Sequence, residues 1–259
     1  MRLTGGVVTN AELVSDLGEA SARGELFAVF QPQFDLANGS IVAAEALCRW
    51  RHPKHGIVPP DTFIPLAEAT GAIGAIGRFM LDQGLRAVVA WRRLGLPIGV
   101  SVNVSPVQLS TEDLVDHLGE RIEAHSLPAG ALTVELTESR PLDDFADIAD
   151  RLRRVRALGI GVALDDFGAG HASPEHLEQL PVTEVKLDKS IVQSGTDATW
   201  RELAERLRGA RARDLTVVAE GIETPSHLRR ARDLLCDRAQ GFLLGRPLER
   251  ASFDALLAR

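Results

Sequence analysis

The run "GIGVALDDFG", residues 159–168, ends an apolar strand-like stretch in two adjacent carboxylates, Asp165 and Asp166. Two such groups side by side repel each other and are costly to desolvate, so a cation must face them. Other strand-like runs carry comparable groups: "IVAAEAL" holds Glu45, "VSVNVS" Asn103, "LTVELT" Glu135, "VTEVKLD" Lys186 and "LTVVAE" Glu220. Side chains alternate across a strand. Val100, Val102 and Val104 therefore share one face, and Ser101, Asn103 and Ser105 the other. Likewise Thr133 and Glu135 oppose Leu132 and Val134, while Gly161, Ala163 and Asp165 oppose Val162, Leu164 and Asp166. The large apolar parity is expected to face helices and the smaller or polar parity to line an interior. Any one of these polar groups reads equally well as a solvated loop start. Their convergence on one mouth is what points to chemistry. Oxygen donors in this number suit Mg²⁺ or Mn²⁺ rather than Zn²⁺. Asp165 would bridge two ions about 3.5–4 Å apart, the arrangement used for phosphoester cleavage.

The elements that must position these groups alternate along the chain. "NAELVSDLGEASARG" reads as a helix capped by Asn10 and ended at Gly24. "LFAVFQPQFDL" and "SIVAAEALCRW" read as strands joined by "ANG", a hairpin signal that makes them antiparallel. Strand-like runs then alternate with helical stretches at 63–94 (broken near Gly71), 112–125, 144–158, 174–180, 199–213 and 225–235, and "QGFLLG" reads as the last strand. Such alternation predicts parallel βαβ units and, with about eight strands, a closed α/β barrel of TIM type, modified by its antiparallel first strand. An open doubly wound sheet is the alternative, but no Gly-rich phosphate-binding turn supports it. Residues 1–8 read as a loose leader and 9–259 as one barrel domain.

The 259 residues carry a net charge of −7, which argues against a surface for polymeric DNA or RNA. No apolar run is long enough to span a bilayer. Cys48 and Cys236 lack any partner spacing and read as reduced, packed thiols, suiting the cytoplasm. The seven histidines show no zinc-ligand spacing, and "RLRRVR", residues 151–156, reads as a solvated helix face with Leu152 and Val155 turned inward.

Taken in order, "AEALCRW", "SVNVS", "ELTES", "ALDDFG", "VKLDKS", "VVAEGIET" and "QGFLLGRPL" resemble the EAL-domain phosphodiesterases, over about residues 26–248. The resemblance implies a (β/α)₈ barrel with an antiparallel first strand that hydrolyses cyclic di-GMP to linear 5′-pGpG with Mg²⁺ or Mn²⁺, as two ions. It implies that Glu45, Asn103, Glu135 and Asp165 hold one metal, and that Asp165, Asp166 and the nearby Glu220 serve the second. It places Lys186 near the attacking water and makes Glu220 a candidate proton acceptor. Gln240 and Glu223 match positions supporting and lining the site. Gln31 and Arg49 match positions contacting base and phosphate, and Glu138 an acid bracing the loop after the Asp165 strand. A homodimer, with regulatory domains outside this chain, is also implied.

Where relatives read Asp-Asp-Phe-Gly-Thr-Gly-Tyr-Ser-Ser-Leu, this chain has Ala169, His171, Ala172 and Pro174. The ligands are intact while their supporting loop is altered. That leaves a binding module that senses cyclic di-GMP without cleaving it as the alternative to an enzyme, with an interaction scaffold or a different metal-dependent barrel phosphodiesterase further off.

Overall fold

The computed structural model describes residues 10–110, 113–137, 145–168, 179–194, 203, 207 and 213–258. Eight strands close a barrel. In chain order the strands are β1 (Leu26–Asp35), β2 (Ile41–His52), β3 (Gly56–Val58), β4 (Gly99–Asn103), β5 (Leu132–Thr137), β6 (Gly161–Phe167), β7 (Glu184–Leu187), β8 (Thr216–Ala219), β9 (Arg238–Ala239) and β10 (Leu248–Glu249). The barrel runs β1-β9-β8-β7-β6-β5-β4-β2 and closes through β1 against β2, with β10 and β3 as extra strands on β1 and β2. β1 is antiparallel to β2 and β9, and the pairs from β2 through β9 within the barrel are parallel.

The hairpin expectation holds: Phe34 pairs with Ile41 across the turn at Gly39, whose φ is 74°. Helices α1 (Asn10–Ala20), α2 (Pro60–Thr70), α3 (Ile73–Arg93), α4 (Pro106–Leu109), α5 (Asp113–His125), α6 (Phe145–Ala157), α7 (Lys189–Ser194), α8 (Pro225–Asp233) and α9 (Arg250–Leu257) complete the described elements. The break between α2 and α3 falls at Gly71, which takes the left-handed conformation that ends a helix, φ 78°. The helices expected at 174–180 and 199–213 lie wholly or mostly outside the described residues, as does the leader.

Strand parity sorts as expected. Val100, Val102, Leu132, Val134, Val162, Leu164, Val185, Leu187, Val217 and Ala219 are buried in the main apolar core. Ser101, Glu135, Asp165, Glu184 and Lys186 are buried as well, on the opposite parity. On α6, Leu152 and Val155 pack inward, Arg153 and Arg154 face water, and Arg151 reaches back to Asp147 at 2.7 Å. Cys236 is buried and Cys48 half-buried, and burial pushes the Cys48 thiol up to about 12. Among the described residues no helix is long and apolar enough to cross a membrane.

One reading is corrected. "QGFLLG" is not a strand: β9 is only Arg238–Ala239, and the chain then turns, Gly245 N–H donating to the Gly241 carbonyl. The cause is close backbone packing. A Cβ on Gly241 would lie 2.2 Å from Ile222 N, and Leu243 N–H donates to the Ile222 carbonyl. The segment folds back on the loop after β8, leaving Phe242 and Leu243 exposed.

Candidate active site

Parallel register brings the polar parity to one level at the strands' C-terminal ends. Asn103 pairs with Glu135 across β4 and β5, and Thr137 with Asp165 across β5 and β6. At the centre stands Lys186 of β7, whose side chain is fully buried. Its Nζ lies 2.8 Å from Glu135 Oε2, 2.8 Å from Glu220 Oε1, 3.4 Å from Asp165 Oδ2 and 3.7 Å from Glu45 Oε1. Four carboxylates thus surround one ammonium, so charge is not balanced within the ring.

Glu45 is the second hub. It accepts from Asn103 Nδ2 at 2.8 Å and from Gln240 Nε2. Gln240 also donates to Gln31 Oε1 at 3.2 Å, and Gln31 donates to the Gly245 carbonyl. Gln240, the residue just past β9, thus links the Glu45 carboxylate to Gln31 and, through it, to the turn at Gly245.

The adjacent aspartates are separated by backbone geometry. Asp166 has φ 57°, and the β6–β7 register shifts between Leu164 and Phe167. Three steps on β6 oppose two on β7, which is a β-bulge. Such a bulge re-aims the residue that carries it, and a non-glycine residue in the left-handed region is a local strain of the kind concentrated at functional sites. Asp166 N–H donates to Asp165 Oδ1 at 2.9 Å.

Burial governs the titration of the ring. It raises Glu135 well above the ordinary carboxyl range, with Glu45 and Asp165 adding to the rise and Lys186 opposing it. Burial likewise raises Asp165, and it raises Glu220 to about 8. At Glu45 burial also pushes upward, but Lys186, Gln240 and Asn103 outweigh it and the carboxyl is lowered. Lys186 is raised well above its usual value because its four carboxylates outweigh burial. A carboxyl raised on folding contributes stability in full below its unfolded pKa and loses it as pH rises through the folded one. For Glu220 that window runs from about 4.3 to about 8. The melting temperature of metal-free protein in EDTA should therefore fall across this window, and a saturating divalent cation should flatten the slope. A melting temperature that climbs through the window would contradict the electrostatics of the ring.

The donor chemistry fits a hard divalent cation. Glu45, Glu135 and Asp165 of the ring, with Asn103 beside Glu45, carry side-chain oxygens that could hold such an ion, and Glu135 Oε1 is buried with no hydrogen-bond partner. As the side chains stand they enclose the Lys186 ammonium. Among the described residues no three His, Cys, Asp or Glu side chains converge on an ion position.

Other expected residues lie off the ring. Arg49 is half-buried and donates from Nη1 to the Cys48 carbonyl at 2.8 Å. Glu223 is exposed, three residues beyond Glu220. Glu138, Ala169, His171, Ala172 and Pro174 lie outside the described residues. One feature escapes the strand-parity reading. A cleft of about 340 Å³ opens beside Glu45 and Asn103, lined by Ile64, Ile73, Ile76 and Met80 from α2 and α3. Its polar wall includes Glu68, which accepts from Ser105 Oγ at 2.7 Å. The only sequence signal for it was the apolar spacing of α2 and α3, which by itself reads as packing.

A closed mixed barrel with titratable groups gathered at the C-terminal ends of its strands defines the class: an α/β barrel protein whose site lies on that face. The family model described as "EAL domain" matches residues 14–247, and the chain belongs to the EAL domain family. It is 36% identical over 242 residues to "Bifunctional diguanylate cyclase/cyclic di-GMP phosphodiesterase MucR" of Pseudomonas aeruginosa, covering 92% of this chain and 35% of that protein. It is 37% identical over 235 residues to "Oxygen sensor protein DosP" of Escherichia coli, covering 90% of this chain and 29% of that protein. The chain thus spans about a third of the length of these curated relatives. Among solved structures, "PaMucR Phosphodiesterase, c-di-GMP complex" superposes with a TM-score of 0.86 at 35% identity, covering 93% of this chain and 99% of that one. "Structure of EAL Enzyme Bd1971 - cAMP and cyclic-di-GMP bound form" gives 0.88 at 28% identity, covering 96% and 69%.

Proposed function

We propose that this domain hydrolyses cyclic di-GMP to linear 5′-pGpG, with Mg²⁺ or Mn²⁺ as a two-ion cofactor. The observation that carries the reading is the ring of four carboxylates around the buried Lys186, at the C-terminal mouth of an EAL barrel. In this reading Glu45, Asn103, Glu135 and Asp165 hold one ion, and Asp165, Asp166 and Glu220 serve the second. Bound ions would reverse the sign of an acidic mouth that otherwise repels a dianionic dinucleotide, polarise the phosphate oxygens and acidify water. Lys186, held between Glu135 and Glu220, offsets charge developing on the phosphoryl oxygens. Glu220, whose carboxyl burial raises without a metal, would be held ionised by a bound cation and is the candidate acceptor for the proton of the attacking water. Gln240 and Asn103 fix the Glu45 carboxylate. Arg49 forks onto a phosphate, Gln31 contacts the base, Glu223 lines the mouth, and the apolar cleft beside Glu45 suits a purine ring.

Asp166 separates backbone from carboxylate. Asp166→Gly relieves the left-handed strain, so its melting temperature should hold or rise while turnover falls at least about a hundredfold. Asp166→Val should lose both, at about 1–2 kcal/mol of stability. Thermal melts beside initial rates check this, and full turnover in Asp166→Gly would remove Asp166 from the metal site.

A receptor that binds cyclic di-GMP without cleaving it is the second reading, favoured by the changes at Ala169, His171, Ala172 and Pro174. Product identification beside a binding measurement, with metal supplied, separates the two. The reading places residues 9–259 as one barrel domain after a short leader, acting as a cytoplasmic homodimer with regulatory domains outside this chain.

A further inference from the structure

Beneath the acidic ring the barrel interior is not filled by the bulky aliphatic side chains usual in such folds. Ala43 pairs with Gly99, Ser101 with Thr133, and Thr133 with Gly161, so a column of small residues runs around one side. These residues leave a cavity of about 210 Å³ toward the N-terminal ends of the strands. On β2, Ala43 lies two residues before Glu45, and on β4, Gly99 lies four before Asn103. At about 3.3 Å per residue the cavity is a separate layer from the mouth.

The cavity wall is polar and its hydrogen bonding is incomplete. Gln33, 1% exposed, lines it with both Nε2 and Oε1 buried and unpartnered. Ser101, 3% exposed, lines it with an unpartnered Oγ. Arg92, in the last turn of α3, contributes a buried Nε that has no partner. Buried polar groups in native proteins are nearly always satisfied by protein or by ordered water, so such a concentration in one cavity calls for a polar occupant. The charges sharpen this. The lining holds two arginines and one carboxylate, and Arg238 is already paired with Glu184 at 3.1 Å. One guanidinium, that of Arg92, is in excess.

We propose that this cavity is a second binding site, for a small oxyanion that also carries a hydroxyl, of the inorganic phosphate or hydroxycarboxylate class. The anionic oxygens accept from Arg92 Nε, Gln33 Nε2 and the Ser101 hydroxyl, and the ligand hydroxyl donates to Gln33 Oε1. The site is independent of whether the opposite face turns over cyclic di-GMP. Its contact with that face is through the strands, since Ser101 is the register partner of Glu45.

Isothermal titration of the whole chain in EDTA, with inorganic phosphate as the probe, tests the proposal. Saturable one-site binding is expected, weakened about tenfold or more by Arg92→Gln and by Gln33→Met, each of which removes a charge-assisted or buried hydrogen bond. Arg92 is only partly buried at a helix end, so Arg92→Gln decides the matter if Gln33→Met does not fold. Arg153→Ala, on the solvent face of α6, should bind phosphate unchanged. Sulfate, which has no proton to donate at neutral pH, should bind more weakly. Absence of saturation, equal affinity in Arg92→Gln, loss of binding in Arg153→Ala, or sulfate binding as tightly as phosphate would each overturn the assignment.

Discussion

Lys186→Met should cost the metal-free domain about 3–5 kcal/mol and cut turnover by at least about a thousandfold. Methionine keeps most of the volume and removes the ammonium that Glu135, Glu220, Asp165 and Glu45 share. Breaking a buried ion cluster by deleting one sign is far more damaging than replacing the whole cluster, because the remaining charges stay desolvated. In a domain of this size that cost lowers the melting temperature by roughly 6–20 °C. The direction of rescue is specific. Acid should restore stability by protonating the orphaned carboxyls, and divalent cations should restore it by replacing the lost charge. Lys186→Arg should not rescue, since a planar guanidinium cannot occupy the place of a compact ammonium that is fully buried. Thermal melts with and without Mn²⁺ at two pH values read all of this. A Lys186→Met protein that melts like the parent would show that the ring is not electrostatically organised around this lysine.

The second large effect is expected at Glu45. Glu45→Gln keeps the shape and removes the charge of the carboxylate that accepts from both Asn103 and Gln240. Turnover should fall by about three orders of magnitude or more, since the reaction loses charge at the point where it develops. The fold should weaken by only about 1–3 kcal/mol, because two amide donors then face an amide rather than a carboxylate. Rates and melts measured on one preparation separate these effects. A Glu45→Gln protein retaining more than a tenth of parental turnover would displace Glu45 from the centre of the site.

Much of this was legible from strand parity. Val100, Val102 and Val104 against Ser101 and Asn103, or Val162 and Leu164 against Ala163 and Asp165, state which face is core and which is interior, because a strand has a period of two. The hairpin announced itself through Asn38-Gly39. What parity cannot supply is radial geometry. Lys186, read as a residue near the attacking water, stands within 4 Å of carboxylates from four other strands or strand ends, an arrangement set by barrel closure. Nor does parity see backbone irregularities. Asp166, on the outward parity of β6, is re-aimed by a bulge and a left-handed φ. "QGFLLG" has strand-like composition yet turns, because Gly241 abuts Ile222. Glu223, so close in sequence to Glu220, is exposed and off the ring, since β8 ends at Ala219 and the chain turns at Gly221, φ 64°. The cavity beneath the site was written only as an unusual run of small residues, Ala43, Gly99, Ser101 and Gly161, whose meaning appears when their registers are aligned.

The central claim is chemical, and one assay addresses it most directly: cyclic di-GMP incubated with the domain and Mn²⁺ or Mg²⁺, with the product identified by chromatography and mass. The account predicts linear 5′-pGpG, formed only with the divalent ion and lost on chelation. Saturating binding of cyclic di-GMP without turnover, metal supplied, would contradict it and leave the domain a receptor.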